Sequence, residues 1–229
     1  MQNGNLETKK LKQWHLSRGF SLVELLIVVT IVGIMTAVAI PQMIAQRRLL
    51  RSTAVTRQIA TQIRYARQLS MSQRDAITFQ YDDANKRILI IDHNNNQPTN
   101  VTCNLTGTQV MAAAGYPMTV CATVATTIPL NQEGLLSSEL TYGIPTSPAL
   151  PTAALGDGIS KTNLINSTLN ITFQPDGRVL DGAQSPVNTA LYIFNNVQPE
   201  ATASAISVMG ASGRVKIWRY TSSASAYVE

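Results

Sequence analysis

The sequence is short of charge, cysteine and histidine. Charged residues make up only 14% of its 229 residues, beside 45% apolar ones. That balance excludes a disordered chain, because the apolar content is ample for a buried core. The length suits one domain of moderate size with appendages. Cysteine occurs twice, as Cys103 and Cys121, and histidine twice, as His15 and His93. None of these stand at ligand spacing, so no metal site is expected. His93 lies in a polar Asp-His-Asn-Asn-Asn stretch. No Ser/His/Asp or Cys/His set, phosphate loop or carboxylate cluster accompanies it, so neither catalysis nor a cofactor is expected. There is no internal repeat. In an exported chain the two cysteines read as one disulfide closing a surface loop; two unpaired buried thiols are the other reading.

What the sequence does have is concentrated at its start. The formal charge is +5, and residues 1–19 hold +3 of it: Lys9, Lys10, Lys12 and Arg18 against Glu7. From Phe20 to Ile40 runs FSLVELLIVVTIVGIMTAVAI, 21 residues. As a helix this spans about 30 Å, the thickness of a bilayer core. The preceding basic residues favour a cytoplasmic N-terminus, although Arg47, Arg48 and Arg51 on the far side weaken the asymmetry. Glu24 is out of place among leucines and valines. A carboxylate there costs about 2.5–3.5 kcal/mol on insertion scales, so it needs a functional partner.

Arg18-Gly19-Phe20-Ser21-Leu22-Val23-Glu24-Leu25-Leu26 resembles the prepilin processing motif of type IV pilin-like proteins. The resemblance implies that residues 1–19 are a leader and that a prepilin peptidase cuts between Gly19 and Phe20. The same enzyme, as N-methyltransferase, then methylates Phe20. Glu24 would become the fifth mature residue, meeting the amino group of a neighbouring subunit during assembly; a charge compensated inside an apolar bundle is tolerable. Pro41 falls where pilins often carry a helix-bending proline. The competing reading is an ordinary secretory signal peptide, for which Ala37-Val38-Ala39 offers a small-x-small cleavage site. Against it, the apolar run exceeds the usual length and contains Glu24.

From Gln42 to Arg74 there is no glycine, proline or acidic residue. Ala45, Leu49, Val55, Ile59, Ile63, Ala66 and Ser70 recur at helical spacing, and Arg47, Arg48, Arg51, Arg57, Arg64, Arg67 and Arg74 mostly avoid that stripe. The reading is a helix of two halves: residues 20–41 for membrane and assembly, 42–75 amphipathic. It is about 80 Å long in all, too long for its own domain to cover. Residues 76–229 read as β-rich. Ala76–Tyr81 and Arg87–Asp92 flank a turn at Asp82–Lys86; Thr168–Phe173 leads through Pro175-Asp176-Gly177 to a resumed strand Arg178–Leu180; Thr189–Phe194, Ala205–Met209 and Arg214–Tyr220 are further strands. Residues 94–161 read as an insertion containing both cysteines. The fold class expected is α+β, a pilin fold with a long N-terminal helix on an antiparallel sheet.

Ile171–Val179 with its Phe-x-Pro-Asp-Gly-Arg core, Ser212-Gly213-Arg214-Val215, and the helix stretch Ile63–Met71 resemble the GspH/FimT family of H-type pseudopilins and T-type fimbrial minor pilins. That implies a minor pseudopilin of a type II secretion system, or alternatively a minor pilin of a type IV pilus. The implied partners are other pilins or pseudopilins, the prepilin peptidase, and an inner-membrane assembly platform, with the C-terminal domain in the periplasm. Some T-type members bind DNA through basic residues after the last Gly-Arg. Here Arg214, Lys216, Trp218 and Tyr220 alternate onto one strand face, with Arg219 beside them. Two cations beside two aromatics could take phosphates and stack bases; a solvated strand face is the plainer reading.

Overall fold

The computed structural model describes residues 20–93, 123–130, 138–181 and 184–229. Gly19, Cys103 and Cys121 lie outside the described residues. The chain falls into two units, divided between Ile44 and Ala45.

One helix, α1, runs from Leu22 to Gln73 and continues unbroken through Pro41. It stops where Arg74 adopts a left-handed φ of 58°, the conformation that commonly ends helices. Its buried residues are Ser52, Val55, Thr56, Ile59, Ala60, Ile63, Ala66 and Ser70. The apolar stripe read from the sequence is therefore the packed one from Val55 onward, broadened by Ser52, Thr56 and Ala60. Thr56 Oγ1 donates to Ser52 O at 3.0 Å and shares a hydrogen bond with Ser204 Oγ at 2.8 Å, so the buried hydroxyl is satisfied.

In the second unit the helix covers two antiparallel sheets. The first contains β1 (Ile77–Asp82), β2 (Arg87–Asp92), β3 (Thr123–Pro129) and β5 (Thr168–Phe173), in the order β3-β2-β1-β5. The second contains β4 (Leu140–Tyr142), β6 (Thr189–Asn195), β7 (Ser204–Met209), β8 (Arg214–Thr221) and β9 (Ala226–Val228), in the order β4-β6-β7-β8-β9. A four-residue helix, α2 (Pro199–Thr202), joins β6 to β7. The main core joins Val55, Ile59, Ile63 and Ala66 of α1 to Ile77, Phe79 and Tyr81 of β1 and to Leu191, Ile193, Ile206, Val208 and Val215 of the second sheet.

Alternation along each strand decides the other faces. On β1 the residues between the core ones are Thr78, Gln80 and Asp82, all buried and all partnered. Thr78 Oγ1 bonds both His93 Nε2 and Thr172 Oγ1 at 2.7 Å, and Gln80 donates to Asn170 Oδ1 at 2.9 Å. On the second sheet the outer face carries Ala190, Tyr192, Ala205 and Trp218, which pack with Leu155 and Ile159. The described part of the stretch expected to be an insertion is thus built into the domain: β3 pairs with β2, β4 with β6, and residues 144–159 form a strap over the second sheet. Its apolar anchors are sparse, and this is why composition alone assigned it no elements and marked it as an insertion.

Two further departures from the sequence reading have plain causes. No strand resumes at Arg178–Leu180; Val179 and Leu180 make single bridges, to Phe173 and Pro186. The Gln174–Arg178 turn spends the local backbone pairing, with Gly177 N–H on Gln174 O. Strand β9 has only three residues, too few for an alternation signal.

Candidate functional site

Residues 20–44 are exposed at every position. They include Leu22, Val23, Leu25, Leu26, Ile27 and Val28, and further large apolar side chains follow to Ile44. Water does not tolerate such a surface on a soluble monomer. The helix is long and apolar enough to cross a membrane. Phe20 is the first described residue, and Glu24 sits in the first turn of α1. A carboxylate there faces the unpaired backbone N–H groups and positive end of the helix dipole. Among the described residues Glu24 forms no ion pair. The arrangement offers one apolar rod with a single anionic group near its tip.

The second candidate is β8. The alternation expected there holds: Val215 and Ile217 turn to the helix-side core, Lys216 and Trp218 to the other face. The expectation that Trp218 could stack a base is corrected. Its ring is 5% exposed, covered by the strap at Leu155 and Ile159, and its indole N–H donates to Ser207 Oγ at 2.8 Å. Ser207 in turn donates to Asp157 Oδ2 at 2.6 Å, which ties the strap down. Lys216 is also engaged: its Nζ lies 2.5 Å from Glu229 Oε2 and 5.1 Å from the Trp218 ring centroid. Arg214 and Arg219 stay exposed, Arg219 donating to Thr53 Oγ1 at 3.3 Å.

Sequence reasoning missed the role of Arg67. Its Nε donates to Gly177 O at 3.2 Å and its Nη2 to Ser212 O at 2.9 Å. Gly177 and Gly213 both have positive φ, 78° and 62°. A Cβ on Gly213 would lie 2.1 Å from Gly177 O and 2.4 Å from Arg67 Nε. The three segments that carry the family resemblance therefore meet at one side chain. A long cation spaced one turn from the packed Ile63 was the available signal.

Titration adds little. Burial would push the Asp82 carboxyl up, but hydrogen bonds from Asn85 and Arg87 outweigh it and hold it below the usual range. Burial drives the Tyr81 hydroxyl well up, with Asp83 adding to the rise; the hydroxyl donates to Asp83 Oδ1 at 2.7 Å. Tyr192 is pushed up to about 12 by burial, with Asp157 adding to it. These are structural groups rather than reactive ones.

Among known proteins, residues 14–40 match the family described as the prokaryotic N-terminal methylation motif. No curated protein matches the chain in sequence. Two crystal structures of the type IV minor pilin FimU of Pseudomonas aeruginosa are similar to 72% of this chain. They are covered over 86% and 90% of their own length, at 15% and 14% identity, each with a TM-score of 0.38. Residues 14–40 give the chain a prepilin-type, type IV pilin-like N-terminus, carried on a helix whose second half packs against antiparallel sheet.

Proposed function

We propose that this chain is a minor pilin-like subunit of a type II secretion pseudopilus, processed at Gly19–Phe20 and assembled through residues 20–44. One observation carries the reading: the methylation motif at residues 14–40 covers most of the exposed apolar first half of α1, with Glu24 in the helix's first turn. Before assembly the rod is covered by the inner membrane; afterwards it is covered by the rods of other pilins or pseudopilins. Burial of apolar surface drives both states, so transfer between them costs little. Glu24 then pairs with the methylated amino group of a neighbouring Phe20, each charge compensating the other in an apolar bundle. Pro41 lacks the N–H of a regular helical bond and supplies a point where the rod can bend.

The test is intact mass spectrometry of the protein from its native membrane, with and without Gly19→Leu. A chain beginning at methylated Phe20, lost on substitution, is expected; a chain beginning at Ile40 would make the protein an ordinary secreted one. Glu24→Ala should leave cleavage intact and abolish incorporation into filaments. Normal incorporation of that variant would remove the proposed role of the carboxylate.

The secretion machine is preferred to a DNA-retaining type IV pilus because two of the four residues suited to DNA are already engaged, Trp218 by the strap and Lys216 by Glu229. The pilus reading keeps Arg214 and Arg219, both exposed. Deletion should trap secreted substrates in the periplasm. Unimpaired secretion with loss of DNA uptake, together with a gel shift weakened by Arg214→Ala and Lys216→Ala, would reverse the preference.

A further inference from the structure

Two grooves follow each other along the outer edge of β8. One is lined by Arg64, Arg67, Arg214 and Val215 among others, the next by Thr53, Arg57, Ile217 and Arg219 among others. Helix α1 forms a wall of both. Strand β8 extends from Arg214 to Thr221, yet β9 pairs only with Arg219–Thr221. The Tyr220 N–H donates to Ala203 O, on the side of β7. Amide direction alternates along a strand, so Arg219, Ile217 and Val215 turn theirs to the opposite edge. β9 serves Arg219 and stops short of Ile217 and Val215. Val215 O accepts from Arg64 Nη2 at 3.4 Å, which is long for a hydrogen bond.

Charge singles out the same edge. Arg57, Arg64 and Arg67 from α1 and Arg214 and Arg219 from β8 border it. Among the described residues none of the five forms an ion pair. Arg67 and Arg219 donate to neutral oxygens, which leaves their charge uncompensated. The one carboxylate in the lining is Glu229, already paired with Lys216.

We propose that this groove binds an extended acidic segment of a partner protein, which adds to β8 as a strand in line with β9 and pairs its carboxylates with the arginines. Backbone pairing supplies affinity and alternate side chains supply selection, as in other strand-addition sites. Guanidinium–carboxylate pairs are the stronger class of hydrogen bond and prefer planar anions. A strand edge alternates donors with acceptors, which a peptide backbone matches along its length, whereas a phosphodiester backbone offers acceptors only. The indole that would stack bases is covered.

The probe is a fluorescein-labelled peptide of about ten residues alternating Glu and Val, titrated against the full chain in detergent micelles by fluorescence polarisation. Saturable binding is expected. Arg57→Gln with Arg219→Gln should weaken it at least about tenfold at an unchanged melting temperature, since both side chains are exposed. Methylating alternate backbone amides of the peptide should weaken it equally, because its donors are lost while its charge is kept. Absence of binding would overturn the proposal. So would full affinity in the methylated peptide or in the double variant. Displacement of the peptide at lower concentration by a dT oligonucleotide of equal length would assign the groove to nucleic acid instead.

Discussion

At Gly213 the local geometry leaves no room for a side chain. A left-handed φ costs a non-glycine residue about 1–2 kcal/mol, and the nearest atom to an added Cβ is a backbone carbonyl. Gly213→Ala should therefore cost about 2 kcal/mol or more, a fall of roughly 4–8 °C in melting temperature for a domain of this size. Gly177→Ala meets the flexible Met71 Sδ first and should cost less. Equal melting temperatures for Gly213→Ala and the parent would refute the packing argument. His93 makes a second prediction. Burial lowers the imidazole from its ordinary value, with Asp92 pulling partly the other way. The fold holds the neutral ring, hydrogen-bonded to Thr78, so its contribution is complete above about pH 6.5 and is lost as pH falls through the lowered value. Denaturant midpoints measured from pH 7.5 to 5 should fall more steeply for the parent than for His93→Gln. Neither residue's role was readable beforehand: Gly213 was visible as part of a motif, but its opposite number, Gly177, lies 36 positions upstream and meets it, beside Arg67, only in the folded domain.

The elements themselves were largely legible. The long helix, the β1–β2 hairpin and the strands near 168, 189, 205 and 214 carry their own period in apolar residues, and their observed bounds differ by a residue or two. What was not legible is the strap at residues 144–159, because Leu155 and Ile159 acquire meaning only against Tyr192 and Trp218 on a distant sheet. That omission misplaced Trp218 at the surface. Helix packing gives one prediction: Ile63→Ala, at a fully buried site, should destabilise the domain by about 2–5 kcal/mol. The strap gives another. In a chain lacking residues 1–19, Trp218 is the sole tryptophan. Asp157→Ala removes the acceptor of Ser207, the hydroxyl that receives the indole N–H, and should shift tryptophan emission to the red at unchanged far-ultraviolet circular dichroism. An unmoved emission maximum would show that apolar contact alone holds the strap.

For the whole molecule, the division after Ile44 separates two solvents. Among the described residues every buried one belongs to the second unit, at Ser52 or beyond, while residues 20–44 are exposed throughout. A chain beginning at Ala45 should stay in solution without detergent and melt cooperatively, whereas the chain from Phe20 should sediment with membranes. Aggregation of the shorter chain would mean that the division is not a folding boundary. The contacts of α1 also set an order of events. Thr56 meets Ser204, Arg67 meets Ser212, and Thr53 meets Arg219, partners separated by 148, 145 and 166 positions. A ribosome working at roughly 5–20 residues per second takes about 7 to 33 s to make that distance. Through all of that interval the second half of the helix has been synthesised and lacks its partners in the second sheet, with only the apolar residues of β1 and β2 close behind it in the chain. Its hydroxyls and its arginines keep it wettable while it waits, and the domain closes only when nearly the last strand arrives.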